Sequence, residues 1–316
     1  MFAATADRFN VAGYKPANTL EAQVALAAKV PGLKAIEIHQ TDLTDMKPKE
    51  FAKLLAKHKL ACSSVNVNVW GDAKYMHGAF THRDLKIRRE ALDEAKKAVR
   101  IARALNCPGV GLWLGSDGFD YPFQSDYTIQ WDLLVDGIRE IGEYAGRKVN
   151  VGIEYKLKEP RTHMTVGDVA KAMLICNEIG RDNVGVTVDF GHALMSRENP
   201  GESVALLARG DKLFNVHIND AFREWDDDMV PGTVHLWETV EFLYWCQRTK
   251  YKGWISLDMY PYREDSVKAA GMAIRNLNSM WKMAEKINVP ALKKAQRSMD
   301  ALATQEVIRK IAFSGR

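Results

Sequence analysis

Cysteine is scarce, and what there is cannot build a disulfide framework or a zinc knuckle. Cys62, Cys107, Cys176 and Cys246 are far apart and form no CxxC pair. Three of them sit in apolar surroundings, so free buried thiols are expected. Long apolar runs are missing too: none reaches the roughly 18 residues that a membrane-crossing helix needs. The opening MFAATADRFN has no basic segment leading into an apolar one, so no signal peptide and a cytoplasmic location are expected. Nor does one sign of charge dominate. Forty-four Lys and Arg against 40 Asp and Glu leave a net +4 with no basic cluster, which argues against nucleic acid as the main partner. No Gly-rich phosphate cradle is evident, which favours an unphosphorylated ligand. No low-complexity segment or linker divides the chain.

What is present is a regular alternation. The 47% apolar residues suffice for a large core. Short apolar runs predict strands at Arg8–Ala12, Lys34–His39, Ala61–Val69, Val110–Leu114, Val149–Tyr155, Val184–Asp189, Leu213–Ile218 and Trp254–Met259. Between them, helices are predicted at Thr19–Val30, Lys47–Lys57, Asp84–Leu105, Thr128–Ala145, Val166–Ile179, Ser203–Ala208, Leu236–Arg248 and Ser266–Ile287. Many of the strands are apolar on both faces, as parallel strands covered by helices are. Eight such units predict one α/β domain, a (β/α)8 TIM barrel over residues 1–288. Residues 289–316 form an extension whose helix, Ala291–Ile311, is expected either on its own barrel or at a subunit interface.

In a barrel of this kind chemistry sits where strands end and βα-loops begin. Strand five ends in Glu154-Tyr155-Lys156, strand six in Asp189-Phe190-Gly191-His192, strand seven in His217-Ile218-Asn219-Asp220, and strand eight in Asp258-Met259-Tyr260. One such acid alone would read as a helix cap or a surface charge. Glu154, Asp189, His217 and Asp258 on four successive strands, about 4.8 Å apart, read instead as ligands of one divalent cation. Three carboxylates and one imidazole suit Mn2+, Mg2+ or Co2+ better than structural zinc. His192 follows Asp189 by one turn, and the acidic loop after strand seven carries Asp226 and Asp228. With Asp189 shared, these would complete a second cation site. Lys156 points to the same side as Glu154 and could stabilise developing negative charge, or form a plain ion pair with Glu154 or Glu159.

These residues resemble those of the xylose isomerase-type barrels, and most closely the L-rhamnose isomerases of the bacterial broad-specificity kind. The resemblance runs from about Asn66 to Ile287. It rests on Asn68-Val-Trp-Gly-Asp-Ala-Lys-Tyr-Met-His77-Gly, Leu112-Trp113-Leu-Gly, Glu154-Tyr-Lys156-Leu-Lys-Glu159-Pro160, Asp189-Phe-Gly-His192 and Asp226-Asp-Asp228. It implies that Glu154, Asp189, His217 and Asp258 hold the first metal, and that Asp189 bridges to a second held by His192, Asp226 and Asp228. It also implies that Lys156 contacts the substrate's O1, that His77 assists ring opening or oxygen binding, and that Trp113 packs on the carbon chain. A homodimer or homotetramer is implied as well. This chain is shorter than those enzymes, mainly in segments that shape the far end of the sugar pocket, so the substrate does not carry over.

The expected activity is therefore isomerisation of an unphosphorylated pentose, deoxyhexose or branched pentose between aldose and ketose. It would proceed by a metal-assisted 1,2-hydride shift, with Mn2+ as the expected cofactor. Lys156, His77, Glu154 and Asp258 are the catalytic candidates; Trp70, Trp113, Phe119, His77, Lys156 and Asn219 are the substrate-facing ones. Trp70, Trp113 and Phe119 would exclude water, or simply pack the barrel mouth. Two rivals remain: a ketose 3-epimerase on a related barrel, which would need paired glutamates where strand eight offers Asp258, and a non-catalytic sugar-binding barrel.

Overall fold

The computed structural model describes residues 1–3 and 10–313. In chain order its strands are β1 Ala35–His39, β2 Ala61–Asn66, β3 Gly109–Trp113, β4 Gly118–Phe119, β5 Asn150–Glu154, β6 Lys158–Glu159, β7 Thr162–Met164, β8 Val184–Asp189, β9 Leu213–Ile218 and β10 Ile255–Leu257. The helices are α1 Leu20–Ala27, α2 Pro48–Lys57, α3 Leu85–Ala104, α4 Tyr127–Ala145, α5 Val169–Ile179, α6 Phe190–Met195, α7 Pro200–Arg209, α8 Leu236–Arg248, α9 Ser266–Glu285, α10 Val289–Arg297 and α11 Ala301–Phe313.

Seven strands pair in parallel in the order β1-β2-β3-β5-β8-β9-β10, a TIM barrel that is nearly closed. The curl is visible in one side chain: Glu37 of β1 accepts hydrogen bonds from Asn215 of β9 and Ser256 of β10, at the other end of the sheet. Of the strand predicted at residues 8–12, positions 8 and 9 lie outside the described residues. The rest departs from strand, with Val11 and Ala12 in a turn closed by Gly13 N–H on the Asn10 carbonyl. The other seven predicted strands are present, each within three residues of its expected ends.

The strands hold together as the apolar runs require. Val151 and Ile153 of β5 and Val184, Val186 and Val188 of β8 are fully buried between lumen and helix layer. Asp84, Asp126, Asp168 and Asp265 cap α3, α4, α5 and α9, each accepting a first-turn backbone N–H. Those caps fix where each loop hands the chain back to the helix layer. All four cysteines are buried and free.

Two features are additions to the expected pattern. The loops after β3 and β5 pair with each other as a small antiparallel sheet, β4-β7-β6, over one side of the mouth. The chain after β8 turns at once into the short α6 before α7 begins at Pro200 rather than Ser203. At the end of the chain, α10 buries Leu292 and Ala295, and α11 lays Val307, Ile308 and Ile311 on the core without burying any residue fully. Among the described residues no helix is long and apolar enough to cross a membrane.

Candidate metal centre and active site

The strand register brings the four strand-end residues together. Glu154 pairs with Thr187, and Asp189, two residues further on, pairs with His217. His217 pairs in turn with Ser256, and Asp258 lies two residues beyond. Residues two apart in a strand share a face, so all four side chains point into the lumen. The ladder continues past β10, where Asp258 N–H reaches the Ile218 carbonyl at 3.3 Å. One potential ligand atom from each of Glu154, Asp189, His217 and Asp258 lies within 4.8 Å of all the others. His217 Nδ1 stands 3.3 Å from Glu154 Oε1 and 3.5 Å from Asp258 Oδ2. Asp189 is fully buried, whereas the Asp258 side chain is 37% exposed and forms the open side of the group.

Beside it lies a second group, Asp189, His192 and Asp226, with ligand atoms equally close. Asp189 builds it: its Oδ1 accepts the His192 N–H at 2.8 Å, capping α6 and turning the imidazole back over the strand end. The acidic loop is drawn inward. Asp220 and Met229 exchange backbone hydrogen bonds that close its neck, and Asp227 accepts the Phe222 N–H within the loop. This leaves Asp226 Oδ2 at 3.0 Å from His192 Nε2 and 2.8 Å from Lys156 Nζ. Asp228, expected in the same set, is placed differently. Its backbone is left-handed at φ 50°, and its Oδ1 accepts from Asn219.

Asn219, a substrate-facing candidate by sequence, is fully buried instead, and its amide is used up. Its Nδ2 donates to Asp189 and Asp228, and its Oδ1 accepts from Gly191 N–H. It ties the acidic loop to β8 rather than presenting a group to the mouth. A Cβ on Gly191 would stand 2.7 Å from Asn219 Oδ1, so this contact requires glycine.

Lys156 is buried, paired with Asp226 and Glu159, and lies 5.2 Å from the ring centre of Trp113 and 5.7 Å from that of Trp225. The Glu159 pair is the one the sequence offers as the plain alternative; Asp226 is the unforeseen partner. Trp70 and Trp113 meet edge to face at 5.0 Å, a single aromatic wall beside the lysine. Phe119 is elsewhere, stacked on His163 in the small sheet. His77 is exposed, and no hydrogen bond or ion pair among the described residues links it to the carboxylates.

Glu37 is a site residue that sequence reasoning misses. It stands in the lumen one layer below the four strand-end groups, with Oε2 3.0 Å from His217 Nε2. The available signal is a carboxylate between two isoleucines in a strand, where a charge needs a partner.

Electrostatics show what this assembly lacks. Burial pushes Asp189 up to about 7, with His192 pulling down and the acids Asp226 and Glu154 adding to the rise. Burial likewise raises Asp228 well above its ordinary value, helped by Asp226 and Asp258. Burial alone would depress His192, but Asp189 and Asp226 outweigh it and hold the imidazole at about 9. The lumen carboxylates outnumber the neighbouring cationic side chains Lys156, His192 and His217. Two buried polar atoms in the second group, His192 Nδ1 and Asp226 Oδ1, have no hydrogen-bond partner. Oxygen-rich donors, excess negative charge and unpartnered ligand atoms all fit a bound divalent cation.

Comparison with known proteins agrees with this architecture. A family model described as xylose isomerase-like TIM barrel matches residues 24–282. A probable sugar isomerase of Rhizobium meliloti (strain 1021) is 29% identical over 181 residues, 55% of this chain and 41% of that protein. The xylose isomerase of Thermus thermophilus is 24% identical over 219 residues, 65% of this chain and 57% of that one. The chain thus spans about half the length of the curated relatives it matches. Among solved structures, an L-ribulose 3-epimerase superposes with a TM-score of 0.68 at 15% identity, covering 94% of this chain and 95% of the other. A structure described as IOLI protein with a binding zinc atom superposes with a TM-score of 0.62 at 22% identity, covering 84% and 93%.

Proposed function

The chain belongs to the xylose isomerase-like TIM barrel family, and from that starting point we propose that it is a divalent-cation-dependent sugar isomerase, interconverting an aldose and a ketose by a 1,2-hydride shift. The observation that carries the reading is the convergence of Glu154, Asp189, His217 and Asp258 within 4.8 Å, with the Lys156 ammonium held beside the neighbouring Asp189–His192–Asp226 group. The names of the Rhizobium and Thermus relatives support an isomerase, and the zinc-bearing structural relative supports a cation at this end of the fold. Mn2+ is the preferred ion, since three carboxylates and one imidazole form a hard donor set.

Glu154, Asp189, His217 and Asp258 would hold the first cation, and Asp189, His192 and Asp226 the second. Asp228 would join through movement of its loop or stay as the partner of Asn219. A cation there polarises neighbouring hydroxyl and carbonyl oxygens of an open-chain sugar. Lys156 keeps its proton and faces the oxygen on which negative charge develops. Trp70 and Trp113 shield the reacting carbons from water. His77 is exposed and has no assigned step.

A second reading has one specific observation behind it: the L-ribulose 3-epimerase fold covers nearly the whole chain. Epimerisation at C3 needs an acid and a base on opposite faces of the sugar, which Glu154 and Asp258 would have to supply. Two measurements separate the readings. A panel of pentoses and deoxyhexoses is incubated with Mn2+, Co2+ or Mg2+ in deuterated water. Aldose–ketose exchange with no stoichiometric deuterium at C3 is expected; deuterium at C3 of the product would replace the isomerase with the epimerase. Glu154→Gln is expected to abolish turnover with every metal, and an active variant would remove the reading altogether.

A further inference from the structure

We infer that Glu37 is a positioning residue for the candidate cation site: it fixes His217 with the proton on Nε2, so that the Nδ1 lone pair faces the ligand group. The inference rests on His217 being a metal ligand and is independent of which sugar, or which reaction, the site serves.

Glu37 sits where it cannot itself bind an ion. Four donors converge on its two oxygens: Oε1 receives Ser256 Oγ at 2.6 Å and Asn215 Nδ2 at 3.0 Å, and Oε2 receives Asn66 Nδ2 at 2.8 Å and faces His217 Nε2 at 3.0 Å. These come from β2, β9 and β10, so three strands hold the carboxylate in place. The orientation of Asn66 is itself set, because Ser64 Oγ donates to its Oδ1 at 2.9 Å and turns the amide nitrogen toward Glu37. The backbone makes room for that amide: a Cβ on Gly111 would stand 2.3 Å from Asn66 Oδ1. A carboxylate surrounded by donors in this way is an acceptor only.

That settles the imidazole. With no proton on Glu37 Oε2, the 3.0 Å approach of Nε2 is attractive only if Nε2 carries the hydrogen. Asn215 Nδ2, at 3.2 Å from Nε2, is a donor and cannot supply the acceptor's place. The ring's other nitrogen then points at Glu154 Oε1, 3.3 Å away, and at Asp258 Oδ2, 3.5 Å away, where a cation shared with those oxygens would sit. A buried carboxylate behind a ligating histidine fixes the tautomer and the ring angle and makes the free nitrogen more basic. Neither the ligand set nor the aromatic wall requires Glu37, yet its β1 position is the only part of the early barrel strands hydrogen-bonded to a candidate ligand among the described residues.

The test uses the full chain and Zn2+ as a diamagnetic probe. In Zn2+-loaded wild type, nitrogen-15 NMR of the histidines is expected to show His217 protonated on Nε2 and ligated through Nδ1. A proton on Nδ1 would overturn the inference without any variant being needed. Calorimetry is then expected to show Glu37→Gln binding Zn2+ about 10- to 100-fold more weakly, with a moved His217 Nε2 resonance and unchanged thermal unfolding of the metal-free protein. Zn2+ affinity within twofold of wild type would overturn it. Wild type that takes up no Zn2+ would overturn the metal reading of the site itself, an outcome distinct from either of these.

Discussion

Lys156 carries its charge where a lysine is costly. Its side chain is only 6% exposed and lies close to the rings of Trp113 and Trp225. Burial works against the ammonium, but Asp226 and Glu159 outweigh it and hold the group above its ordinary range. It therefore stays protonated through neutral pH and cannot serve as a base. What such a group can do is stabilise negative charge from a water-poor position. Lys156→Met is expected to lower kcat by about 10²- to 10³-fold while KM moves little, because the interaction matters most when charge has developed. Steady-state kinetics on the sugar that the substrate panel identifies would check this. If kcat is unchanged, Lys156 is only the counter-ion of Asp226 and Glu159.

At the scale of elements, the second ligand group depends on how α6 and the acidic loop meet. Asp189 caps α6, Gly191 N–H and the Asp189 and Asp228 carboxylates all engage Asn219, and the loop neck is closed by Asp220 and Met229. Gly191→Ala would place a methyl group 2.7 Å from Asn219 Oδ1. We expect a loss of roughly 1–3 kcal/mol, read from chemical denaturation of the metal-free protein, together with weaker binding of the second equivalent of cation and little change in the first. Equal weakening of both would mean that the two groups are not separable. The first group is legible in the sequence because it depends only on the barrel's general rules: each member ends an apolar run, and side chains two apart in a strand share a face. The second is only half legible. Alternation along the loop points Asp226 and Asp228 inward together, but the left-handed turn at Asp228 sends it to Asn219. The full burial of Asn219 depends on α6, a helix of six residues too short to leave a periodic signal. Glu37 is visible as a charge in an apolar strand, but its partners on β9 and β10 lie about 180 or more residues away in sequence, which no local pattern connects.

For the whole molecule, the ligand groups act as a brace across four barrel strands whose own charges repel. Asp189 ionises only near pH 7 and His192 holds its proton to about 9, against ordinary values of 3.8 and 6.5. Both shifts have the same consequence in the metal-free protein. The raised acid contributes stability at low pH that is lost as pH climbs to about 7, and the raised imidazole contributes stability below 6.5 that is lost as pH climbs through about 9. Between about pH 6 and 9 the metal-free barrel should therefore become less stable. Over the same interval a cation has fewer protons to displace from these two side chains, so its affinity should rise. The two trends add. A cation at 100 times its Kd stabilises the folded state by about 2.7 kcal/mol, which for a chain of this length moves Tm by roughly 4 °C, given an unfolding entropy of about 2 cal/mol/K per residue. We expect the gap in Tm between Mn2+-loaded and EDTA-treated protein, at fixed Mn2+ concentration, to widen steadily from about pH 6 to about pH 8.5. Scanning calorimetry at three pH values would measure it. A gap that stayed constant or narrowed would mean that the protons on Asp189 and His192 are not the ones a cation displaces, and that the shared carboxylate at the end of β8 does not join the two ligand groups.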